Sequence, residues 1–282
     1  MREGVKVPLT ITQNNVAVTG FTLQDGYAGI QLHGNFSIIA GNRIRNTQFG
    51  IILSFGSNNS VTANIVESIT FCGIKLAVAT SNLIQKNKVI SSGIEITQNS
   101  HYNTISENDV VNNTDCGVRL ADSDGNTIVG NNITNCGVGT IIYVANDNNF
   151  YHNNFVDNIE QVSADEWYAK TFGYAGSKNT LNENFWSDYQ LKYPYAKEVD
   201  ASGTGDTPYV INENNTDYRP LMQPVEFSAL VPTPTPTPTG FVFEVTPPMI
   251  AVIVAVSAFV IGLVLRVYFN KRRQEMGTQA CT

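Results

Sequence analysis

Charge is scarce in this chain. Charged residues are 15% of its 282, acidic ones outnumber basic ones 24 to 17, and the formal net charge is −7. That excludes the basic face with which a protein grips nucleic acid. Histidine is scarcer still: His33, His101 and His152 stand far apart. The four cysteines, Cys72, Cys116, Cys136 and Cys281, never form Cys-x-x-Cys. Without that pair, a His-x-His or a methionine-rich tract, the sequence offers neither a zinc site nor a copper cluster. The opening "MREGVKVPLT" lacks the apolar core of an export signal. The text after it, "ITQNNVAVTGFTLQDG", already reads as the middle of a domain. The chain is therefore expected to be truncated at its N-terminus.

What is abundant is asparagine, threonine, serine and glycine, around an apolar share of 42% that suffices for a core. This balance suits an extracellular β-rich protein. The unit aliphatic-x-x-Asn recurs at Ile39/Asn42, Val61/Asn64, Ile84/Asn87, Ile105/Asn108 and Ile128/Asn131, with an aromatic form at Phe150/Asn153. Successive asparagines are 22, 23, 21, 23 and 22 residues apart. Two residues after each comes another apolar side chain: Ile44, Val66, Val89, Val110, Ile133, Phe155. Then follows Gly-aliphatic-x-aliphatic at Gly29, Gly50, Gly73, Gly93 and Gly117, with a weaker copy from Gly137. A period near 22 with short alternating segments fits one coil of a parallel β-solenoid, its coils stacked about 4.8 Å apart. A leucine-rich repeat has a similar period but needs several leucines and a helical arm per repeat.

In such a stack, aliphatics fill the interior and each corner position repeats on the next coil. Asparagine tolerates left-handed angles and bonds nearby backbone. Asn42, Asn64, Asn87, Asn108, Asn131 and Asn153 should form a structural amide ladder, and the repeat glycines should mark a second turn. Cys72, Cys116 and Cys136 each precede a repeat glycine. Cys116 and Cys136 fit either a disulfide or a stack of small side chains.

From Val231 the chain turns to "VPTPTPTPTG", an extended stalk of about 3.1 Å per residue. Met249–Leu265 is apolar without a break, continues to Phe269, and is followed by "NKRR". That pattern is a membrane span with a cytoplasmic C-terminus and everything before the stalk outside. Five Asn-x-Ser/Thr sequons, at Asn35, Asn58, Asn112, Asn132 and Asn214, are compatible with that side.

Three further stretches are more specific: "HNNF" (His152–Phe155), "NFWSDY" (Asn184–Tyr189) and "DASGTGDTPYVINENNTDYRPLM" (Asp200–Met222). With the repeat, they make the chain resemble archaeal surface proteins of the NosD type, built on a right-handed, single-stranded parallel β-helix. The resemblance implies β-helix repeats over 1–158, a terminal coil and cap over 159–225, the stalk over 226–246, the span over 247–269 and a tail over 270–282. Relatives carry a DxNGDGxGDTPY-like loop, which makes Asp200 and Asp206 the calcium candidates. This chain has Ser or Thr at the middle acidic position. The family name implies copper handling, for which this inventory of His, Cys and Met supplies no ligand cluster.

The densest acidic patch of the repeats is Asp115, Asp122 and Asp124, with Arg119 between. Glycoside chemistry needs two carboxylates on one face, so these four are the catalytic candidates. Each also has a structural reading. Lys75, Glu95 and Arg119 occupy the same outward position of successive repeats and would form a charge ladder. "DSDGN" (Asp122–Asn126) reads as a polar turn. Tyr143, Tyr151, Trp167, Trp186 and Tyr189 are candidates either for stacking on sugars or for packing. Two functions follow: a non-catalytic, membrane-anchored extracellular scaffold binding glycan or envelope components, or a tethered carbohydrate-active enzyme.

Overall fold

A computed structural model of the protein describes residues 9–164, 171 and 176–226. It is an all-β parallel solenoid with coils of about 22 residues, and its sheets run along the stacking axis. One sheet takes a three-residue strand from each coil: Ala17–Thr19, Ile38–Ala40, Ser60–Thr62, Leu83–Gln85, Thr104–Ser106, Thr127–Val129, Asn149–Tyr151, Thr180–Asn182 and Asn215–Asp217. Their central residues pair in register from Val18 through Ile39, Val61, Ile84, Ile105, Ile128 and Phe150 to Leu181. Each points inward and is almost wholly buried, which is why the second position of these eight triplets is aliphatic or aromatic; in the last, Asn215–Asp217, it is Thr216.

The second sheet changes along the molecule. In three early coils one long strand covers two sides: Thr22–Leu32, Arg43–Ser54 and Ile65–Ala77. Beyond Ile65–Ala77 it forks. One branch runs through Lys88–Ile90, Asp109–Val111, Asn132–Thr134, Asn154–Val156 and Phe185–Trp186. The other runs through Ile94–Thr97, Cys116–Ala121, Val138–Tyr143 and Glu160–Ala164. At the fork, "SSG" (Ser91–Gly93), with Ser91 left-handed at φ 58°, replaces the longer "SITFCG" of the coil before.

The repeat runs further than its asparagine pattern indicates. Glu160–Ala164 continues a sheet column in register with Val138–Tyr143, and the first sheet reaches Asp217. The remainder of the 159–178 segment, including Trp167, lies largely outside the described residues, as do the stalk, the apolar run, the tail and Cys281. At the C-terminal end Tyr209–Asn212 pairs antiparallel with Asn215–Asp217. That hairpin occupies the edge the last coil would otherwise leave open.

The glycines have a different role from the turn expected of them. Gly29, Gly50, Gly73 and Gly117 lie inside strands and Gly93 immediately before one. A Cβ on Gly50 would sit 2.2 Å from the Gly73 carbonyl oxygen and 2.5 Å from a Val66 methyl. These are sites of close approach. The weaker copy also shifts: Val118 pairs with Thr140, and a Cβ on Gly117 would meet the Gly139 oxygen at 2.8 Å. Gly139, and not Gly137, therefore continues the column.

Candidate functional site

The asparagine ladder is continuous. Asn42 Nδ2 donates to Asn64 Oδ1 at 3.0 Å, and the same bond repeats from Asn64 to Asn87, Asn108, Asn131, Asn153 and Asn184 at 2.9–3.0 Å. Each backbone N–H donates to the same oxygen, as Asn87 does to Asn108 at 2.9 Å. The ladder asparagines do not themselves take left-handed angles. The residue before each does: Ala63, Lys86, Glu107 and His152 have φ of 52–55°, and Gly41 and Gly130 have 62° and 66°. That turn frees the next residue to aim its amide inward.

A second ladder runs parallel to it through Asn59, Asn82, Asn103, Asn126, Asn148, Asn179 and Asn215. Its signature is Asn-x-x-x-x-Asn across each short strand, as in "NLIQKN" and "NTISEN". The asparagines, the most abundant polar feature, are thus committed to structure.

Of the four catalytic candidates, Asp115 and Arg119 are in contact, and Asp124 bonds the neighbouring coils. Asp115, an exposed residue, bonds Arg119 at 2.9 Å. Arg119 stacks on Glu95 at 3.8 Å, and Glu95 on Lys75 at 3.0 Å, in the register the repeat requires. Asp122 sits at a left-handed corner. Asp124 Oδ1 accepts the Asn146 N–H at 2.7 Å, and its own N–H donates to His101 Nδ1 at 2.9 Å. Arg119 and Asp124 link one coil to the next, while Asp115 pairs within its own coil.

Asp200 and Asp206 are both exposed. Asp206 Oδ1 accepts the Lys197 N–H at 3.0 Å and the Thr207 hydroxyl at 2.9 Å. The Lys197 backbone bond, then the Thr207 hydroxyl, hold its pKa below the ordinary value. The loop is closed by Asp206 together with Glu198, whose Oε1 accepts the Gly203 N–H at 2.8 Å. Of the sequons, Asn58 and Asn112 are exposed, whereas Asn35, Asn132 and Asn214 are half-buried.

The thiols are not at one position. Cys72 and Cys116 share a column, each donating to the carbonyl two residues on (Ile74, Val118). Cys116 pairs with Val138, not Cys136. All three are unbonded to one another and buried, and burial raises each pKa, that of Cys116 to about 12.

The aromatic candidates divide. Trp186 and Tyr189 are buried. Trp186 lies flat between Phe155, 4.5 Å away, and Tyr209, 4.4 Å away, and donates its Nε1 proton to Asp217. These pack the C-terminal coil. Tyr151 is exposed and Tyr143 half-buried on the flank. A different aromatic group lies outside the repeat signature. Tyr27, Phe49 and Phe71 stand beside one another on three consecutive coils, with ring centroids 5.2 and 5.6 Å apart. Their signal is an aromatic just before the column glycine in "DGYAG", "TQFG" and "TFCG".

The family described as periplasmic copper-binding protein (NosD) matches residues 3–191. No curated protein matches the chain. Among solved structures, it resembles a mutant of the periplasmic alginate epimerase AlgG at 17% identity, TM-score 0.48, over 59% of this chain and 45% of that one. It resembles the Dettilon tailspike protein at 20% identity, TM-score 0.44, over 56% and 36%. A DFA-IIIase mutant from Arthrobacter chlorophenolicus A6 follows at 13% identity, TM-score 0.39, over 63% and 52%. The chain spans about half or less of each. The donor set tests the copper in the family description. Among the described residues no three His, Cys, Asp or Glu side chains gather to hold a metal ion. His101 is bonded to Asp124, and His152 Nε2 lies 2.9 Å from Glu183. The described residues do not fit a copper site.

Proposed function

The chain belongs to the NosD family, and from that premise we propose that it is a non-catalytic surface protein, anchored in the cell membrane, whose solenoid binds glycans or envelope components. One observation carries the reading. Asp115, Arg119 and Asp124, the groups that chemistry would need, are engaged in bonds between or along coils. A glycoside hydrolase needs a pair of carboxylates converging on one substrate bond. The anchor rests on the sequence: the apolar run Met249–Leu265, the basic "NKRR" after it and the Thr/Pro tract before it. The solenoid then stands outside the cell on a stiff spacer.

The test uses the full chain in detergent, incubated with neutral and uronic-acid polysaccharides, with calcium and with chelator. Retention on immobilised glycan without new reducing or unsaturated ends supports a binding scaffold. New ends that vanish in Asp115→Ala or Asp124→Ala would make the protein a carbohydrate-active enzyme instead. Chelator-sensitive retention, lost in Asp206→Ala, would assign calcium to the cap loop. For the anchor, alkaline extraction of membranes should leave the full chain in the pellet and release a chain ending at Leu230.

A further inference from the structure

The strip Tyr27–Phe49–Phe71 is not explained by folding. The interior beneath it is already filled: Ile30, Ile51 and Ile74 are wholly buried, and so are Ile44 and Val66. Phe71, by contrast, is 63% exposed, and Tyr27 and Phe49 are half-buried. Large aromatic surface left in water on three successive coils forms one apolar patch, and such patches mark binding sites. The strip is also local. It occupies the three long strands before the fork, and on the next coil the shortened corner puts Ser92 in the column of Cys72.

We propose that this strip is a glycan-binding site and that its ligand is a neutral hexopyranose polysaccharide lying along the stacking axis. The proposal rests on the glycan-binding reading above and gives it a place. A pyranose ring has one face of C–H bonds and a rim of hydroxyls. The C–H face suits the electron-rich face of an aromatic ring, and the rim needs hydrogen-bonding groups alongside. Both are present. Gln24 and Arg45, bonded to each other at 2.9 Å, lie earlier on the same strands. The Lys75 ammonium sits 5.9 Å from the Phe49 ring on the other side.

The rings repeat at 5.2 and 5.6 Å, set by coil stacking and comparable with the length of one sugar unit. A linear polymer matches a strip one ring wide. A folded protein partner would need an apolar core within roughly 800 Å², which the flanking charged rows interrupt. The charges favour a neutral ligand. Arg43 is paired with Glu67 at 2.8 Å and Lys75 with Glu95 at 3.0 Å. The chain as a whole, at −7, repels a polyanion.

The experiment measures retention of the full chain, in detergent, on immobilised mixed-linkage β-glucan and on polygalacturonate. Wild type is compared with Phe71→Ala and with Tyr27→Ala/Phe71→Ala. Phe49→Leu keeps the bulk of the more buried ring while removing its face. Melting curves verify that each variant is folded. The expected result is salt-insensitive retention of wild type on β-glucan. It should weaken on the order of tenfold for each ring of the strip removed, with unchanged melting. Wild-type retention on β-glucan that every variant keeps would overturn the strip and leave the glycan reading standing. Retention only on polygalacturonate, released by salt, would overturn the neutral ligand. No retention on either glycan would overturn both the strip and the reading beneath it.

Discussion

At the scale of single residues, the asparagine ladder has a direction. Asn108 Oδ1 accepts the N–H and the amide of Asn87, while its own Nδ2 donates to Asn131 Oδ1 and to the Ile84 carbonyl. Every rung accepts from the coil before and donates to the coil after. At the last described rung the chain has Asp217 in place of asparagine. Its two oxygens take five N–H donors, from Glu183, Asn184 twice, Trp186 and Arg219. Burial pushes its pKa up, but five N–H donors converge on its two oxygens, and a carboxylate is the form that accepts them all. Asn108→Ala should cost about 3 kcal/mol through buried groups left unpaired, or roughly 8 °C in melting temperature. Asn108→Asp should not recover it, because a rung must donate. Asp217→Asn, the opposite exchange, should also destabilise, because the end must only accept. Thermal denaturation of the three variants measures this, and a neutral Asn108→Asp would refute the polarity. The thiols offer a second prediction at this scale. Burial raises all three pKa values, so little thiolate exists at neutral pH and maleimide should leave the folded Cys281→Ser protein unlabelled. Three thiols should titrate once it is denatured without reductant. Finding only one would establish a Cys116–Cys136 disulfide. One ladder was readable because its asparagine follows an aliphatic at a fixed interval. The second was hidden because Ser37 replaces its asparagine in an early coil, against an Asn-rich background.

At the scale of strands and corners, two kinds of glycine look alike in sequence and differ in physics. Gly41 is left-handed at φ 62° with open space around the missing Cβ. Gly50 has an ordinary backbone, but a Cβ there would overlap the Gly73 carbonyl and Val66. Gly41→Ala should therefore cost only the left-handed penalty, about 1–2 kcal/mol. Gly50→Ala should cost more, about 3 kcal/mol or above, because two coils must separate to admit it. Urea denaturation of both variants checks the order, and equal losses would mean that Gly50 is a turn residue after all. The same ambiguity explains the shift from Gly137 to Gly139. "CGVGT" holds two glycines, and only backbone pairing of Val118 with Thr140 decides between them. Nor does the period reveal the fork. Coils with a fused long strand and coils with two short ones differ by no more than a residue or two, so the spacing of asparagines is silent about corners elsewhere. By contrast, the outward rows of the sheets were readable. Alternation along a strand fixes which side chains face out, and Lys75, Glu95 and Arg119 therefore meet as their sequence positions require.

At the scale of the whole molecule, a solenoid couples each coil only to its neighbours, so the ends decide where it opens. The described C-terminal end is closed by a column of flat rings. Phe155 lies under Trp186 at 4.5 Å and Tyr209 over it at 4.4 Å, with interplanar angles of 5° and 3°. Lys192 covers the outer face of Tyr209 at 4.2 Å. The earlier coils fill the equivalent interior with Ile44, Val66, Val89, Val110 and Ile133. The change from aliphatic to aromatic begins where the last regular strands meet the antiparallel hairpin. Trp186 also joins this column to the ladder, because its indole N–H bonds the terminal Asp217. Trp186→Ala therefore removes a large, fully buried side chain and one donor to Asp217, at about 4 kcal/mol. The loss should be local. Hydrogen exchange should quicken in Asn149–Tyr151, Asn154–Val156 and Thr180–Asn182, the strands nearest the cavity. It should stay unchanged at Ile38–Ala40 and Ser60–Thr62, many coils away. A uniform rise along every coil would show that the solenoid unfolds as one cooperative body, and that its stability is not a sum of neighbour contacts.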